Sequence, residues 1–184
     1  MAQLNPVKYK SKNATEVLIR HAVENDAQSI WDIARSVLTE EIYQLMTAEE
    51  FKLTIDDEKK WINSFIDRPH SILLVAEVHG QVVGMLDFHV GHRQRIAHVG
   101  NFAVSILKDF RNLGFGSMLL QTLNQWALST NKIEKINLQV HATNQQAIAT
   151  YLKNGYIIEG VRKNELKYSD STYVDAILMA RFLK

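Results

Sequence analysis

Residues 111–117 read Arg-Asn-Leu-Gly-Phe-Gly-Ser, and they lie where an apolar, β-type run ends and a helical pattern begins. Gly114 and Gly116 let the main chain bend close to a ligand, because neither carries a side chain. The first amides of the following helix have no partner within it and carry a partial positive charge of about half a unit. This arrangement predicts a phosphate-binding loop with Arg111 at its edge. A simple tight turn is the alternative that two glycines leave open.

The same stretch fits neither of two common nucleotide-binding fingerprints. A dinucleotide fingerprint places a third glycine at position 119, where this chain has Leu119. A P-loop ends in Gly-Lys-Ser or Gly-Lys-Thr, and that ending is absent. We therefore expect a phosphate cradle without NTP hydrolysis of the P-loop type.

The hydrophobic periodicity on both sides of this loop predicts a mixed α/β (α+β) fold. The loop is preceded by a β-type run over 97–106 and followed by a helical pattern over 114–129 and an alternating strand over 135–140. The remaining chain adds helices and strands on both sides, so we expect a central mixed, mostly antiparallel sheet with helices on both faces. The predicted strands are 17–22, 71–78, 81–90, 156–161 and 173–182, and the predicted helices are 26–38, 57–67 and 144–153.

Length and composition predict one domain. The chain has 184 residues, of which 46% are hydrophobic and 22% charged, enough to bury a single core. The polar start of the chain shows neither helical nor strand periodicity over 1–15. We therefore expect a flexible leader over 1–15 and a single domain over 16–184.

The charge balance and the lack of cysteine exclude several classes of protein. Lys and Arg number 21 against 20 Asp and Glu, so a broad electrostatic attraction to nucleic acid or to an anionic membrane is absent. With no cysteine, disulfides, thiolate metal sites and a Cys nucleophile are excluded. The apolar runs are far shorter than the roughly 20 residues of a membrane span. We expect a cytoplasmic protein without a nucleic-acid or membrane partner.

A second informative segment runs from Asn144 to Tyr156. Helical spacing places Asn144, Ala147 and Tyr151 on one face, which then carries an amide, a small gap and a phenol. On spacing alone, a capped helix with a buried aromatic residue is favoured over a functional face.

Taken together, the two segments resemble motifs A and B of the GNAT superfamily of acetyl-coenzyme A dependent N-acetyltransferases. Arg111-x-x-Gly114-x-Gly116 is similar to the pyrophosphate loop of that family, and Asn144-x-x-Ala147-x-x-x-Tyr151 is similar to its next helix. The resemblance implies a sheet that is splayed in the middle. It also implies acetyl-CoA as co-substrate, and direct acetyl transfer to a primary amine of a small molecule, an amino acid or a protein N-terminus. Homodimers are common among such relatives.

The resemblance also implies roles for particular residues. Tyr151 would protonate the departing coenzyme A thiolate, and strand main chain would hold the pantetheine arm. The implied coenzyme contacts are Phe102, Ala103, Val104, Arg111, Asn112, Leu113, Gly114, Phe115, Gly116, Ser117, Asn144 and Tyr151.

One departure from the family pattern concerns the base that must deprotonate the amine. Many relatives carry Glu at the position of Asn101, whose amide cannot accept a proton. An acyl-CoA-binding sensor or interaction domain without transfer chemistry is therefore the alternative function; Asn101 favours it and Tyr151 opposes it. The substitute bases that the sequence offers are Asp87, His89, His98, Glu40, Glu41, Glu49 and Glu50.

The histidines do not predict a metal site. His89, His92, His98 and His141 lack a repeated carboxylate partner and fall on different faces or in loops, so we expect no bound metal.

Overall fold

The computed structural model describes residues 4–40 and 42–184. It contains eight strands and four α-helices within those residues. The strands are β1 (Val7–Lys10), β2 (Glu16–His21), β3 (Ile72–Val78), β4 (Gln81–Val90), β5 (Val99–Ile106), β6 (Lys135–His141), β7 (Ile157–Lys167) and β8 (Tyr173–Phe182). The helices are α1 (Ala27–Thr39), α2 (Ile55–Ser64), α3 (Phe115–Thr130) and α4 (Gln145–Lys153).

All strands join one sheet in the order β1-β2-β3-β4-β5-β6-β8-β7. Every neighbouring pair is antiparallel except β5 and β6, which are parallel. The parallel connection follows from α3, because parallel strands need a crossover and a helix supplies it. The predicted mixed, mostly antiparallel sheet is confirmed.

The parallel pair is short, and this splits the sheet. β5 pairs with β6 only over Val99–Asn101 against Lys135–Asn137. β4 stays paired with β5 as far as Ile106. Beyond Asn101, β5 and β6 therefore diverge, and the predicted splay in the middle of the sheet is confirmed.

Each face of the sheet carries its own helices and its own core. On one face α3 and α4 pack against residues such as Leu86, Phe88 and Ile136. On the other face α1 and the end of α2 pack against Leu73 and Val75. Side chains alternate along β4, and Leu86 and Phe88 are fully buried on the α3 side. We call the opposite surface, which includes Asp87 and His89, the α1/α2 face.

The expected flexible leader is wrong for residues 7–10, which form β1. This strand pairs with β2, with Val7 opposite Ile19, and the Tyr9 hydroxyl lies 3.0 Å from Thr122 Oγ1 on α3. Four residues contain only two alternations of apolar and polar side chains, too few to distinguish a strand from an irregular segment. Residues 1–3 lie outside the described part of the chain.

β7 is also longer than the sequence predicts. The strand expected over 156–161 extends from Ile157 to Lys167, and only a short turn separates it from β8. It is an edge strand exposed along nearly all its length, so neither face needs apolar residues and the alternation is lost. A register shift between Arg162 and Leu166 further blurs the pattern.

Candidate active site

The loop at 111–117 opens directly onto the start of α3. Gly114 precedes the helix with φ of +97°, a backbone conformation that favours glycine, and no side chain of the described residues caps the helix start. The amides of Phe115, Gly116 and Ser117 are therefore open to a ligand. A Cβ atom on Gly116 would lie 3.7 Å from Ile106 Cδ1 and 3.9 Å from Thr150 Cγ2. Gly116 thus keeps a gap open between the end of β5 and α4.

Helix α4 holds this loop in place through two side-chain contacts. Gln146 Nε2 donates to Asn112 Oδ1, and Asn154 Nδ2 donates to Ser117 Oγ over 3.0 Å. At the start of the helix, Asn144 Oδ1 accepts from the Ala147 amide over 3.1 Å. The two sequence segments therefore meet in space, and Asn144 is a helix cap.

Arg111 forms an ion pair with a residue that the sequence did not indicate as its partner. Its guanidinium donates two hydrogen bonds of 2.6 Å to the carboxylate of Glu40, at the end of α1. Its Nε donates to the main-chain oxygen of Ile106 over 2.9 Å. The hydrogen bonds from Arg111 hold the pKa of Glu40 below its ordinary value. Glu40 is therefore a poor candidate for the base.

Tyr151 lies at the split in the sheet. Its ring centroid is 5.7 Å from that of Phe102 on β5 and 6.0 Å from that of Tyr156. The side chain is buried, and burial raises the pKa of the phenol to about 12. Tyr151 therefore keeps its proton throughout the neutral pH range.

The strand residues expected to hold the pantetheine arm lie where β5 has left β6. Phe102 is buried toward α3 and α4, Val104 is half-buried on the same face, and Ala103 is exposed on the α1/α2 face. Because β6 pairs with β5 only as far as Asn101, the edge of residues 102–104 that faces the gap has no strand partner in the described chain.

Of the candidate bases, the fold brings two close to Asn101. His89 is paired with Asn101 across β4 and β5, and His89 Nε2 lies 3.3 Å from Asp87 Oδ2. The His89 ring also packs on Phe65, with centroids 4.7 Å apart.

The other candidates are not brought to the split. His98 is exposed before the start of β5, and Glu49 and Glu50 are exposed, with Glu50 accepting from the Thr47 amide over 2.9 Å. Glu41 lies outside the described residues.

The sequence singled out His141 only as a possible metal ligand and did not indicate that it lies near the split. It lies at the end of β6 on the α1/α2 face, and its side chain is buried. Its Nδ1 atom is 2.9 Å from the Tyr168 hydroxyl, and the Tyr43 ring lies edge-on at 5.8 Å. The alternation of Ile136, Leu138 and Val140 could have indicated that His141 faces the other side, but its partners come from distant segments.

Among residues 4–40 and 42–184, no three His, Cys, Asp or Glu side chains are grouped as a metal site would need. None of the helices in the described part of the chain is long and apolar enough to cross a membrane.

A sequence model of the Acetyltransferase (GNAT) family matches residues 38–156, which include both the loop at 111–117 and α4. The chain belongs to the GNAT acetyltransferase family. The open loop and the split sheet are therefore parts of a GNAT N-acetyltransferase, and this family uses acetyl-CoA.

Individual GNAT proteins support this assignment. The L-amino acid N-acetyltransferase AaaT of Escherichia coli (strain K12) is 32% identical over 91% of this chain and 98% of its own length. An N-alpha-acetyltransferase of Sulfolobus acidocaldarius is 28% identical over 92% of this chain and 95% of its own length. A crystal structure of a GNAT acetyltransferase from Streptococcus pneumoniae superposes with a TM-score of 0.85 at 27% identity, covering 91% and 99% of the two chains.

Proposed function

We propose that this GNAT enzyme transfers acetyl directly from acetyl-CoA to a primary amine, with the α-amine of a free amino acid as the first acceptor to test. The split between β5 and β6 is the observation that carries the proposal, because it leaves strand main chain free beside Tyr151. The similarity to an L-amino acid N-acetyltransferase supports a free amino acid. The similarity to an N-alpha-acetyltransferase supports a protein N-terminus as the second acceptor class.

The residues at the site fit the coenzyme. The amides of Phe115, Gly116 and Ser117 would receive the diphosphate, since a helix start favours anions. The gap kept open by Gly116 would admit the chain that leads from the diphosphate into the split. Arg111 would contribute through its main chain, because Glu40 holds its guanidinium.

The remaining coenzyme contacts stay as sequence predictions. Phe102, Ala103 and Val104 would bind the pantetheine arm through their main chain, with further loop contacts from Asn112, Leu113 and Gly114. Asn144 caps α4, so its part in coenzyme binding would be to fix the start of that helix.

When bound, acetyl-CoA supplies an acetyl group activated as a thioester. Tyr151 would donate the phenolic proton to the departing sulfur, and its raised pKa keeps that proton available at neutral pH. General acid catalysis of this kind is worth roughly 10² to 10⁴ in rate. In this proposal the amine attacks the thioester directly, without first acetylating the protein, because the two substrates would meet across the split; the lack of cysteine removes one class of acyl-carrying nucleophile.

The proposal is tested by acetyl-CoA titration calorimetry followed by thiol release with a panel of L-amino acids and short peptides. We expect saturable binding, little thiol release without an amine, and release that depends on the amine supplied. Binding without release for any acceptor between pH 6 and 10 would instead establish the acyl-CoA sensor.

We further propose that the enzyme works in the cytoplasm on soluble acceptors, with no nucleic-acid or membrane partner and no metal. A homodimer remains a prediction, and light scattering of the purified protein measures it. Because we expect no metal to be required, the enzyme should keep full activity after dialysis against a chelator.

A further inference from the structure

Two buried side-chain atoms in the described chain have no hydrogen-bond partner, and both lie on β6: Asn137 Oδ1 and His141 Nε2. Buried polar groups are almost always paired in native proteins, so such an atom requires an explanation. Ile136, Leu138 and Val140 pack in the core on the α3/α4 side. Asn137 and His141 therefore both face the α1/α2 side.

The hydrogen bonds around Tyr168 determine which nitrogen of His141 carries the proton. The Tyr168 hydroxyl donates its single proton to the main-chain oxygen of Ile42 over 2.7 Å. It can therefore only accept at its 2.9 Å contact with His141 Nδ1, which makes Nδ1 the protonated nitrogen of the neutral ring. The unpartnered Nε2 atom is left with a lone pair. Asn137 Oδ1 and His141 Nε2 are thus two hydrogen-bond acceptors on this face of β6 that have no donor within the described chain.

The register of the sheet places His141 across the gap from the expected reaction centre. Asn101 on β5 is level with Asn137 on β6, where the two strands still pair. Four residues further along each parallel strand, Ser105 is level with His141. Both residues face the α1/α2 side, and β5 and β6 have separated between them. His141 therefore lies on the β6 side of the split, opposite the unpaired segment of β5.

The surroundings keep the His141 ring neutral. No carboxylate of the described residues contacts it, and burial lowers its pKa below the ordinary value. The rings packed against it are Tyr43 and Tyr168, and burial raises the pKa of Tyr168. The charged groups on β8 and on β7 beyond it pair with each other, as Asp175 with Lys163 and Arg162 with Glu165.

We propose that His141 takes a proton from the acceptor ammonium group through Nε2. It would thereby replace the glutamate that many relatives carry at the position of Asn101. The inference rests on the proposed acetyl transfer. The segment that carries Ile42 and Tyr43 covers the ring, so the acceptor would displace Tyr43 to reach Nε2. Asn137 Oδ1, nearer the closed end of the split, would accept from a second donor of the bound acceptor.

The ammonium N–H bond breaks, its proton forms a bond to Nε2, and the freed electron pair of the nitrogen attacks the acetyl carbon. The carbon–sulfur bond then breaks, and the sulfur takes a proton from Tyr151. The new amide nitrogen loses its second proton, which restores Tyr151, and His141 releases the first proton to water.

The test is the pH dependence of kcat/KM for His141→Gln against the wild type, with an active amine as acceptor. At pH 7 we expect the variant to be slower by about 100-fold, within the usual range for acid–base catalysis. The deficit should shrink to a few-fold above the pKa of the amine, about 8 for an α-amino group in a peptide, where no base is needed. A deficit that stays constant across pH, or no deficit at pH 7, overturns the proposal.

Further variants separate this result from misfolding and from failure of the acetyl-transfer proposal. His92→Gln, at an exposed histidine, should match the wild type. Should His141→Gln fail to fold, Tyr168→Phe keeps His141 and removes the partner of Nδ1; we expect about tenfold lower kcat at pH 7, with recovery at high pH and unchanged acetyl-CoA affinity. An unchanged kcat in that variant counts against the proposal. A wild type that releases no thiol at any pH refutes the acetyl transfer itself.

Discussion

Arg111 and Glu40 join the phosphate-binding loop to the end of α1 through two parallel hydrogen bonds of 2.6 Å. Seventy-one residues separate them in the chain. Glu40 directly precedes the segment that brings Ile42 and Tyr43 to His141. The ion pair therefore connects the expected coenzyme loop with the segment that covers the expected acceptor side.

Glu40→Gln should destabilise the protein at pH 7 by about 1 kcal/mol or less, because the pair is only partly buried. Folding lowers the pKa of Glu40 from 4.5. The stabilisation is therefore fully present above that value and is lost as the pH falls through the lower, folded pKa. Urea unfolding should show a difference between variant and wild type at pH 7 that shrinks as the pH is lowered below 4.5 and through the folded pKa of Glu40. A difference independent of pH contradicts this, and Glu49→Gln, at an exposed site, is the control.

Tyr151→Phe keeps the ring against Phe102 and removes the phenolic proton. We expect kcat to fall by roughly 10² or more, with acetyl-CoA affinity unchanged by calorimetry. Tyr156→Phe is the matched control, since its hydroxyl donates to Asn124 over 3.2 Å on the buried side of the same aromatic group. Equal kcat for Tyr151→Phe and the wild type would remove Tyr151 from the mechanism.

Gly116→Leu should fill the gap between Ile106 and Thr150 and lower acetyl-CoA affinity by at least about tenfold, or about 1.4 kcal/mol. Gly116→Ala is the control for the backbone, because its Cβ would meet only ordinary contacts and alanine favours a helix over glycine by up to about 1 kcal/mol. Thermal unfolding should show both variants folded. Coenzyme affinity in Gly116→Leu equal to that of Gly116→Ala would place the coenzyme elsewhere.

Gly100→Ala should destabilise the closed end of the split. The new Cβ would collide with the buried Phe88 ring and lie 2.8 Å from the main-chain oxygen of His89. Such overpacking costs about 1 to 3 kcal/mol, measurable as a lower urea midpoint. Gly160→Ala is the matched control, with nothing within 4 Å of its Cβ. Equal midpoints for the two variants would contradict the packing described here.

The elements that the sequence predicted well are those with strong local signals. Leu86 and Phe88 alternate with Asp87 and His89, and the structure places the two sets on opposite faces. Gly155 ends α4 with φ of +83°, as the Asn-Gly pair predicts. In contrast, Asp26 directly precedes α1, but its carboxylate binds Arg20 on β2 over 2.7 and 2.9 Å and does not cap the helix. A charged partner on the preceding strand thus takes the carboxylate away from the local helix start.

The order of strands and helices from β2 onward, the loop at 111–117 and the face of α4 that carries Tyr151 were all predictable from the sequence, because each depends on neighbours within a few residues. The hydrogen bonds between Glu40 and Arg111, and those by which Tyr168 and Ile42 orient His141, appear only in the folded protein. Tyr168 and Ile42 are 126 residues apart, and no local period relates them. Their meeting follows from the position of each strand in the sheet, which sets long-range contacts that side-chain periodicity cannot encode.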